Sequence, residues 1–269
     1  MWRNPENFFA PEVLKREPLA GLFKGVNQVW EILDSLEPFI VKTMRPNVAE
    51  LRRRGDLVTE PVGLWADRTY WGVTYELGGP AEGGLKIYHQ GRRLEEAALV
   101  MPGAVLVNDG IELGPGAVVE SGALIKGPAI IGPRAEVRQG AYVRGAVLAS
   151  PGAVIGHATE AKNTLLLDGA RAGHFAYLGD SLLGREVNLG AGTKLANLKM
   201  NDLPYLFTVD GRTVEIRRRK FGAILGDGVE TGCNAVTNPG VLLGPGSKVL
   251  PNTSVPPGYH PGRSIIRGR

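Results

Sequence analysis

The chain has 269 residues, 38 glycines, 7% aromatic residues and a formal net charge of +4. That length can bury a large core, and a glycine-rich, aromatic-poor composition suits narrow coils lined by Ala, Val, Ile and Leu. The small positive charge points weakly at anionic ligands and away from a nucleic-acid surface, and no uncharged apolar run is long enough to span a bilayer. The start MWRNPENFF lacks the cationic and apolar regions of a signal peptide, and the one cysteine, Cys233, excludes an internal disulfide; together these predict a cytoplasmic protein.

Residues 1–56 predict a helical N-terminal extension, because Leu19, Leu22, Phe23, Val26, Val29, Trp30, Leu33 and Leu36 recur at three- and four-residue spacing, with Pro38 and Pro46 as punctuation. Residues 57–99 hold short strand-like pieces, TYWGVTYEL and GLKIYH, expected to cap the first turn of a solenoid. From about 100 to 259 the period is six. Apolar or small residues return at Met101, Val107, Leu113, Val119, Ile125, Ile131, Val137, Val143, Ala149, Ile155 and Ala161 without a slip. The spacing shortens to five at Leu166 and at Leu183. A second lattice of small or β-branched residues follows each point by four, as at Ala117, Ala123, Ala135 and Ala153. Neither lattice fits a helix; hexads of this kind mark a parallel β-helix, with Gly and Pro at the corners.

The hexads stop after Leu195 and resume at Leu225. Within the insertion 199–220, YLFTV and TVEI flank Asp210-Gly211, which predicts a β-hairpin that leaves the solenoid to meet a ligand or a neighbouring subunit. Residues 260–269 are expected to be a C-terminal tail. The basic triplets Arg52-Arg53-Arg54 and Arg217-Arg218-Arg219 read as solvated faces or local phosphate contacts.

The sequence lacks HExxH, paired CxxC, a glycine-rich nucleotide cradle and a Gly-x-Ser-x-Gly elbow. No metal is expected, although His157 and His174 are candidates for a three-histidine zinc site shared between subunits. The block 157–199 stands apart: Glu160, Lys162, His174, Tyr177, Asn188 and Asn197 all avoid the two inward lattices, so the core does not require them.

IGPRAEVRQGA (131–141), this block with GHFAYLGD and VNLGAGT, and RRKFGAILGDGVETGCNAVTNPG (218–240) together resemble the left-handed β-helix, or hexapeptide-repeat, acyltransferases. Within that class they are similar to the acetyltransferase domain of bifunctional sugar-1-phosphate nucleotidylyltransferases. The resemblance covers about 101–259 and alone implies the left hand. It implies three hexads per coil, placing Ala172 over Ile155, Tyr177 over Glu160, His174 over His157 and Ala191 over His174.

The resemblance also implies an N-acetyltransferase that uses acetyl-CoA as co-substrate on an amino-sugar phosphate such as glucosamine 1-phosphate, or on a related nucleotide sugar, and that works as a homotrimer. His174 would be the general base, since an imidazole titrates near neutrality, and Asn197 would orient substrates and the oxyanion. By the same mapping Arg138 and Lys162 would bind the sugar phosphate, Glu160, Tyr177 and Asn188 the sugar, and Ala191, Cys233 and the corner near Pro251 the acetyl-CoA. Two departures stand out. Residues 1–99 are too short for a nucleotidylyltransferase domain, which implies a separate partner for that step. Archaeal-type relatives also carry lysines after their ANL motif, where this chain offers Lys199 and then Leu203 and Leu206. Two alternatives remain open, a non-catalytic trimeric scaffold or regulatory partner and a γ-class carbonic anhydrase.

Overall fold

The computed structural model describes residues 2–66, 68–78, 84–209 and 211–268. From Ala98 onward the chain winds as a parallel β-helix of about nine turns, each turn giving short strands to three ladders. The inner column of the first ladder runs Val100, Val119, Val137, Ile155, Ala172, Leu189, Thr231, Val249 and Ile266. The second runs Leu106, Ile125, Val143, Ala161, Leu178, Leu195, Thr237 and Val255. The third runs Leu113, Ile131, Ala149, Leu166, Leu183, Leu225 and Leu243. Stacked like residues fill the narrow barrel, and Ala117, Ala123, Ala135 and Ala153 are buried beside them.

The predicted columns recur: Ala172 pairs with Ile155, His174 with His157 and Tyr177 with Glu160. The first turn differs. Its columns hold Val100 and Leu106 instead of Met101 and Val107, because one extra residue enters before Leu113. Asn108 accommodates it, its Oδ1 accepting the N–H groups of Gly110 and Gly127 at 3.2 and 3.1 Å. Met101 packs outside the barrel with Val73, Ile87, Leu94, Leu99 and Val118.

Val62–Trp65 extends the first ladder by pairing antiparallel with Ala98–Val100, and Val48, Leu51 and Val58 close the open end of the barrel core. At the other end the ladders run on past 259: Ile265–Ile266 pairs with Lys248–Val249, so the expected tail contains a further solenoid strand.

Among the described residues the N-terminal segment forms four α-helices, α1 (Pro11–Leu14), α2 (Ala20–Phe23), α3 (Ile32–Thr43) and α4 (Ala49–Arg52), besides two short 3-10 turns. The apolar spacing from Leu19 to Leu36 does not make one helix. Gly25, with φ of 76°, turns the chain after α2, and a reciprocal cap between Gln28 and Glu31 starts the next piece. Pro38 lies inside α3 and does not end it.

The first three of these helices lie along the outer surface of the third ladder, whose outward residues Leu148, Leu165, Leu182, Ile224 and Leu242 are themselves apolar. Leu33, Leu36 and Ile40 cover them. Full burial of each such side chain contributes about 1.5–3 kcal/mol. The insertion forms the hairpin Tyr205–Val209 with Arg212–Ile216; Asp210 of its turn lies outside the described residues. Tyr205, Phe207 and Ile216 pack with Phe221 and Trp30 in the same cluster, so one hairpin face is occupied by the chain itself.

Candidate functional site

The corner between the first and second ladders forms a continuous column. The N–H groups of Ala158, Phe175, Gly192, Asn234 and Asn252 donate in turn to the carbonyls of Gln139, His157, His174, Ala191 and Cys233. This stacks His157, His174, Ala191 and Cys233 one above another, with Pro251 next above Cys233. His174 is exposed and its ring has no hydrogen-bond partner among the described residues. Its imidazole stacks on that of His157 with centroids 5.5 Å apart and planes inclined by 23°. Among the described residues no three His, Cys, Asp or Glu side chains are grouped to hold a metal ion.

From this corner a polar strip crosses the second ladder. Tyr177, three residues after His174, points outward above Glu160. Its hydroxyl reaches over Gly179 to Asn197 Oδ1 at 3.4 Å. A Cβ on Gly179 would stand 2.5 Å from Asn197 Nδ2 and 2.7 Å from the Tyr177 oxygen, so glycine is what lets the two meet.

Asn197 is buried and donates Nδ2 to Asp180 Oδ2 at 2.5 Å; Asp180 Oδ1 accepts Asn163 Nδ2 at 2.9 Å. Asp180 occupies the next corner with φ of 47° and is itself buried. Glu160 accepts from Arg144 at 2.6 Å, a contact that raises the guanidinium pKa through that hydrogen bond first and its charge second.

The remaining candidates lie elsewhere on this chain. Arg138 and Asn188 project from the first ladder, Arg138 donating Nε to Glu136 at 2.7 Å and Asn188 exposed. Lys162 stands on the second ladder in register with Gly179. One chain therefore brings Glu160, Lys162, Tyr177 and Asn197 onto one strip beside His174, and leaves Arg138 and Asn188 around the corner from it.

Asp180 and Asn163, which hold Asn197, are absent from the residues that the sequence singles out. The signal is present, since both are polar, off the inward lattices and within the block 157–199. Lys220 is absent as well. The insertion closes on itself where Leu198 bridges Lys220 and the Phe221 N–H donates to the Asn197 carbonyl at 2.8 Å, which fixes Lys220 beside Asn197.

The family model described as the GMPPB C-terminal domain matches residues 125–252. A bifunctional sugar-1-phosphate nucleotidylyltransferase/acetyltransferase of Sulfurisphaera tokodaii is 37% identical over 101 residues, 38% of this chain and 25% of that protein. A bifunctional protein GlmU of Methanococcus maripaludis is 37% identical over 97 residues, 36% of this chain and 23% of that one. Among solved structures, a UDP-N-acetylglucosamine acyltransferase from Campylobacter jejuni aligns with 18% identity over 62% of this chain and 66% of its own, with a TM-score of 0.26.

The β-helix of this chain is thus similar in sequence to the hexapeptide-repeat class of acyltransferases. Within that class it is similar to the bifunctional sugar-1-phosphate enzymes. The chain spans about a quarter of the length of those curated relatives.

Proposed function

We propose that the chain is an N-acetyltransferase that moves the acetyl group of acetyl-CoA onto an amino-sugar phosphate or a related nucleotide sugar. The observation that carries this reading is the exposed imidazole of His174, without a hydrogen bond among the described residues, at the edge of a strip whose other end is the Tyr177–Asn197–Asp180 network. A free ring nitrogen beside rigidly held amide and hydroxyl groups is what general-base transfer needs.

His174 accepts a proton from the substrate amine as the nitrogen lone pair attacks the thioester carbonyl. The second Nδ2 hydrogen of Asn197, left over from the bond to Asp180, is available to orient the substrate or the oxyanion. Collapse of the tetrahedral intermediate breaks the C–S bond, and the proton held by His174 goes to the departing thiolate. The column Ala191, Cys233 and Pro251 offers the coenzyme a shallow wall of small side chains directly above the base. Arg138 and Lys162 are assigned to the phosphate, and Glu160, Tyr177 and Asn188 to the sugar.

Because Arg138 and Asn188 face away from the strip on one chain, the reading includes a homotrimer in which neighbouring copies complete each site. Exposed Phe175, 63% accessible beside His174, supports a covered corner. Thiol release from acetyl-CoA with a panel of amino-sugar phosphates and UDP-amino sugars tests the reading; no release with any of them counts against it. One observation favours the non-catalytic scaffold instead: Leu203 and Leu206 are exposed apolar groups in the segment where the resemblance leads one to expect lysines.

A further inference from the structure

The turn below His174 is built to hold it. In the first ladder Glu136–Val137 and Asn188–Leu189 are two residues long, whereas Val154–His157 and Arg171–His174 have four and pair in register as far as the two histidines. Gly156 makes that extension possible, since a Cβ there would run into the Gly173 carbonyl. The backbone of the corner is then fixed from three sides. Below, the His157 carbonyl accepts the Phe175 N–H at 2.8 Å; above, the His174 carbonyl accepts the Gly192 N–H at 3.0 Å. From inside, the buried hydroxyl of Thr159 donates to the Ala172 carbonyl at 3.1 Å and accepts the Ala176 N–H at 3.2 Å, so it brackets residues 172–176 with His174 at their centre.

A fixed backbone does not by itself fix a ring. The His174 side chain is exposed and makes no hydrogen bond among the described residues, which leaves its torsions to its ring neighbours. Phe175 is one, tilted by 41° with centroids 6.4 Å apart. His157 is the other, closer and more nearly parallel, at 5.5 Å and 23°. Rings at such separations attract one another. His157 is half-buried, lies off both inward lattices and makes no side-chain hydrogen bond among the described residues, so its nitrogens hold nothing in them. What it offers His174 is a flat surface.

We propose that His157 is a positioning residue for His174, its imidazole lying under that of the base and holding the basic nitrogen in the direction from which the substrate amine arrives. The inference rests on the proposed acetyltransferase reading for the reaction, and on the stack for the geometry. A base that wanders among rotamers is aligned for proton transfer only part of the time, and a misplacement of about 1 Å can cost about 10²-fold in rate. The contribution of the stack therefore belongs in kcat and not in KM.

His157→Ala and His157→Phe in the full chain test this, each by two measurements. The NMR shift of the His174 Cε1–H proton, set in part by the ring current of its neighbour, reports the stack whether or not the protein is an enzyme. Thiol release from acetyl-CoA with the amino-sugar phosphates and UDP-amino sugars reports the chemistry. His157→Ala is expected to move the His174 resonance, to leave the melting transition in place, and to lower kcat about ten- to a hundredfold with KM for both substrates within about twofold of wild type. His157→Phe keeps a flat ring without the nitrogens and is expected to restore most of kcat.

Wild-type kcat in His157→Ala overturns the proposal and leaves the acetyltransferase reading standing. So does a His157→Phe protein as slow as His157→Ala, which would assign the effect to the ring nitrogens. A His174 resonance unmoved by His157→Ala overturns the proposal on geometry alone. A wild type that releases no thiol with any of the acceptors removes the acetyltransferase reading and, with it, anything for the stack to position.

Discussion

Asp180 holds Asn197 by accepting its Nδ2 at 2.5 Å, from a corner where the Asp180 backbone is turned to φ of 47°. The same carboxyl group accepts Asn163, so one buried side chain fixes two amides, from the turns on either side of its own. Its geometry sets the direction of the remaining Asn197 donor before any ligand arrives.

Replacing Asp180 with Ala therefore leaves the buried Asn197 amide without that partner and removes one of two acceptors from the half-buried Asn163. Leaving a buried polar group unsatisfied costs about 1–3 kcal/mol, so urea unfolding should show a loss of that size or somewhat more. Acetyl transfer should fall through kcat. Asp180→Asn, which keeps the volume and one good acceptor, should lie between wild type and Asp180→Ala on both measures. A variant as stable and as active as wild type would show that the carboxylate positions nothing.

Gly179→Ala addresses the same network from the other side. The added methyl would stand 2.5 Å from Asn197 Nδ2 and 2.7 Å from the Tyr177 hydroxyl, closer than non-bonded atoms allow. Tyr177 must swing away. We expect a folded solenoid, since the collision is with side chains on the outer surface, and at least a tenfold loss of activity on the scale of misplaced catalytic groups. Unchanged kinetics would remove Tyr177 and Asn197 from the site.

Phe175 tests the assembly. It is 63% exposed, has φ of 53° and follows His174 directly. A bulky aromatic at positive φ is costly in an isolated chain, and a neighbouring subunit packed on the corner would offset that cost. Phe175→Glu should dissociate the trimer in sedimentation velocity at micromolar concentration and abolish transfer. A wild type already monomeric and active would overturn the shared-site reading.

Asp227 gives the N-terminal segment a pH-dependent anchor. Burial, its largest influence, raises its pKa above 3.8, while the N–H groups of Ala10 and Arg185, donating at 2.8 and 2.7 Å, oppose the rise without cancelling it. The folded chain thus binds this proton more tightly than the unfolded chain. The group's contribution to stability is therefore greatest at low pH and is lost as pH rises through the range just above 3.8. Comparing wild type with Asp227→Asn by urea unfolding between about pH 7 and about pH 4, the difference should shift in favour of wild type as the pH falls. A pH-independent difference would contradict the assignment.

The inner columns were legible because a barrel this narrow admits only certain side chains, and the chain repeats them at each turn; the five-residue steps at Leu166 and Leu183 were readable for the same reason. The slip in the first turn was not. Met101 and Val107 are as apolar as Val100 and Leu106, and only the Asn108 turn decides between them. The path of α3 was hidden as well. Leu148, Leu165, Leu182, Ile224 and Leu242 sit beside the inward lattice, where an apolar run reads as ordinary barrel core, although their outward burial needs a partner. At the site, the polar residues outside the lattice could be picked out. That Asp180 fixes Asn197, and that the end of the insertion returns Lys220 to Leu198, depends on contacts between segments whose separation the hexad count does not give.

The most direct test of the proposed chemistry is His174→Ala. The ring is exposed, is hydrogen-bonded to nothing among the described residues, stacks on His157 and lies beside the Phe175 ring. Its loss should leave the melting transition and acetyl-CoA binding at their wild-type values while turnover falls by about 10² to 10⁴, the usual contribution of a general base. His174→Gln should be as inactive, because an amide keeps the hydrogen-bonding shape and accepts no proton. Arg138→Ala, by contrast, removes a ground-state charge contact and should raise KM for the phosphate-bearing substrate with little change in kcat. If His174→Ala acetylates its amino sugar at an undiminished rate, the base lies elsewhere. If wild type and variant are equally inert with each amino sugar offered, the stacked imidazoles are a structural corner and the scaffold reading becomes the better account of the polar strip.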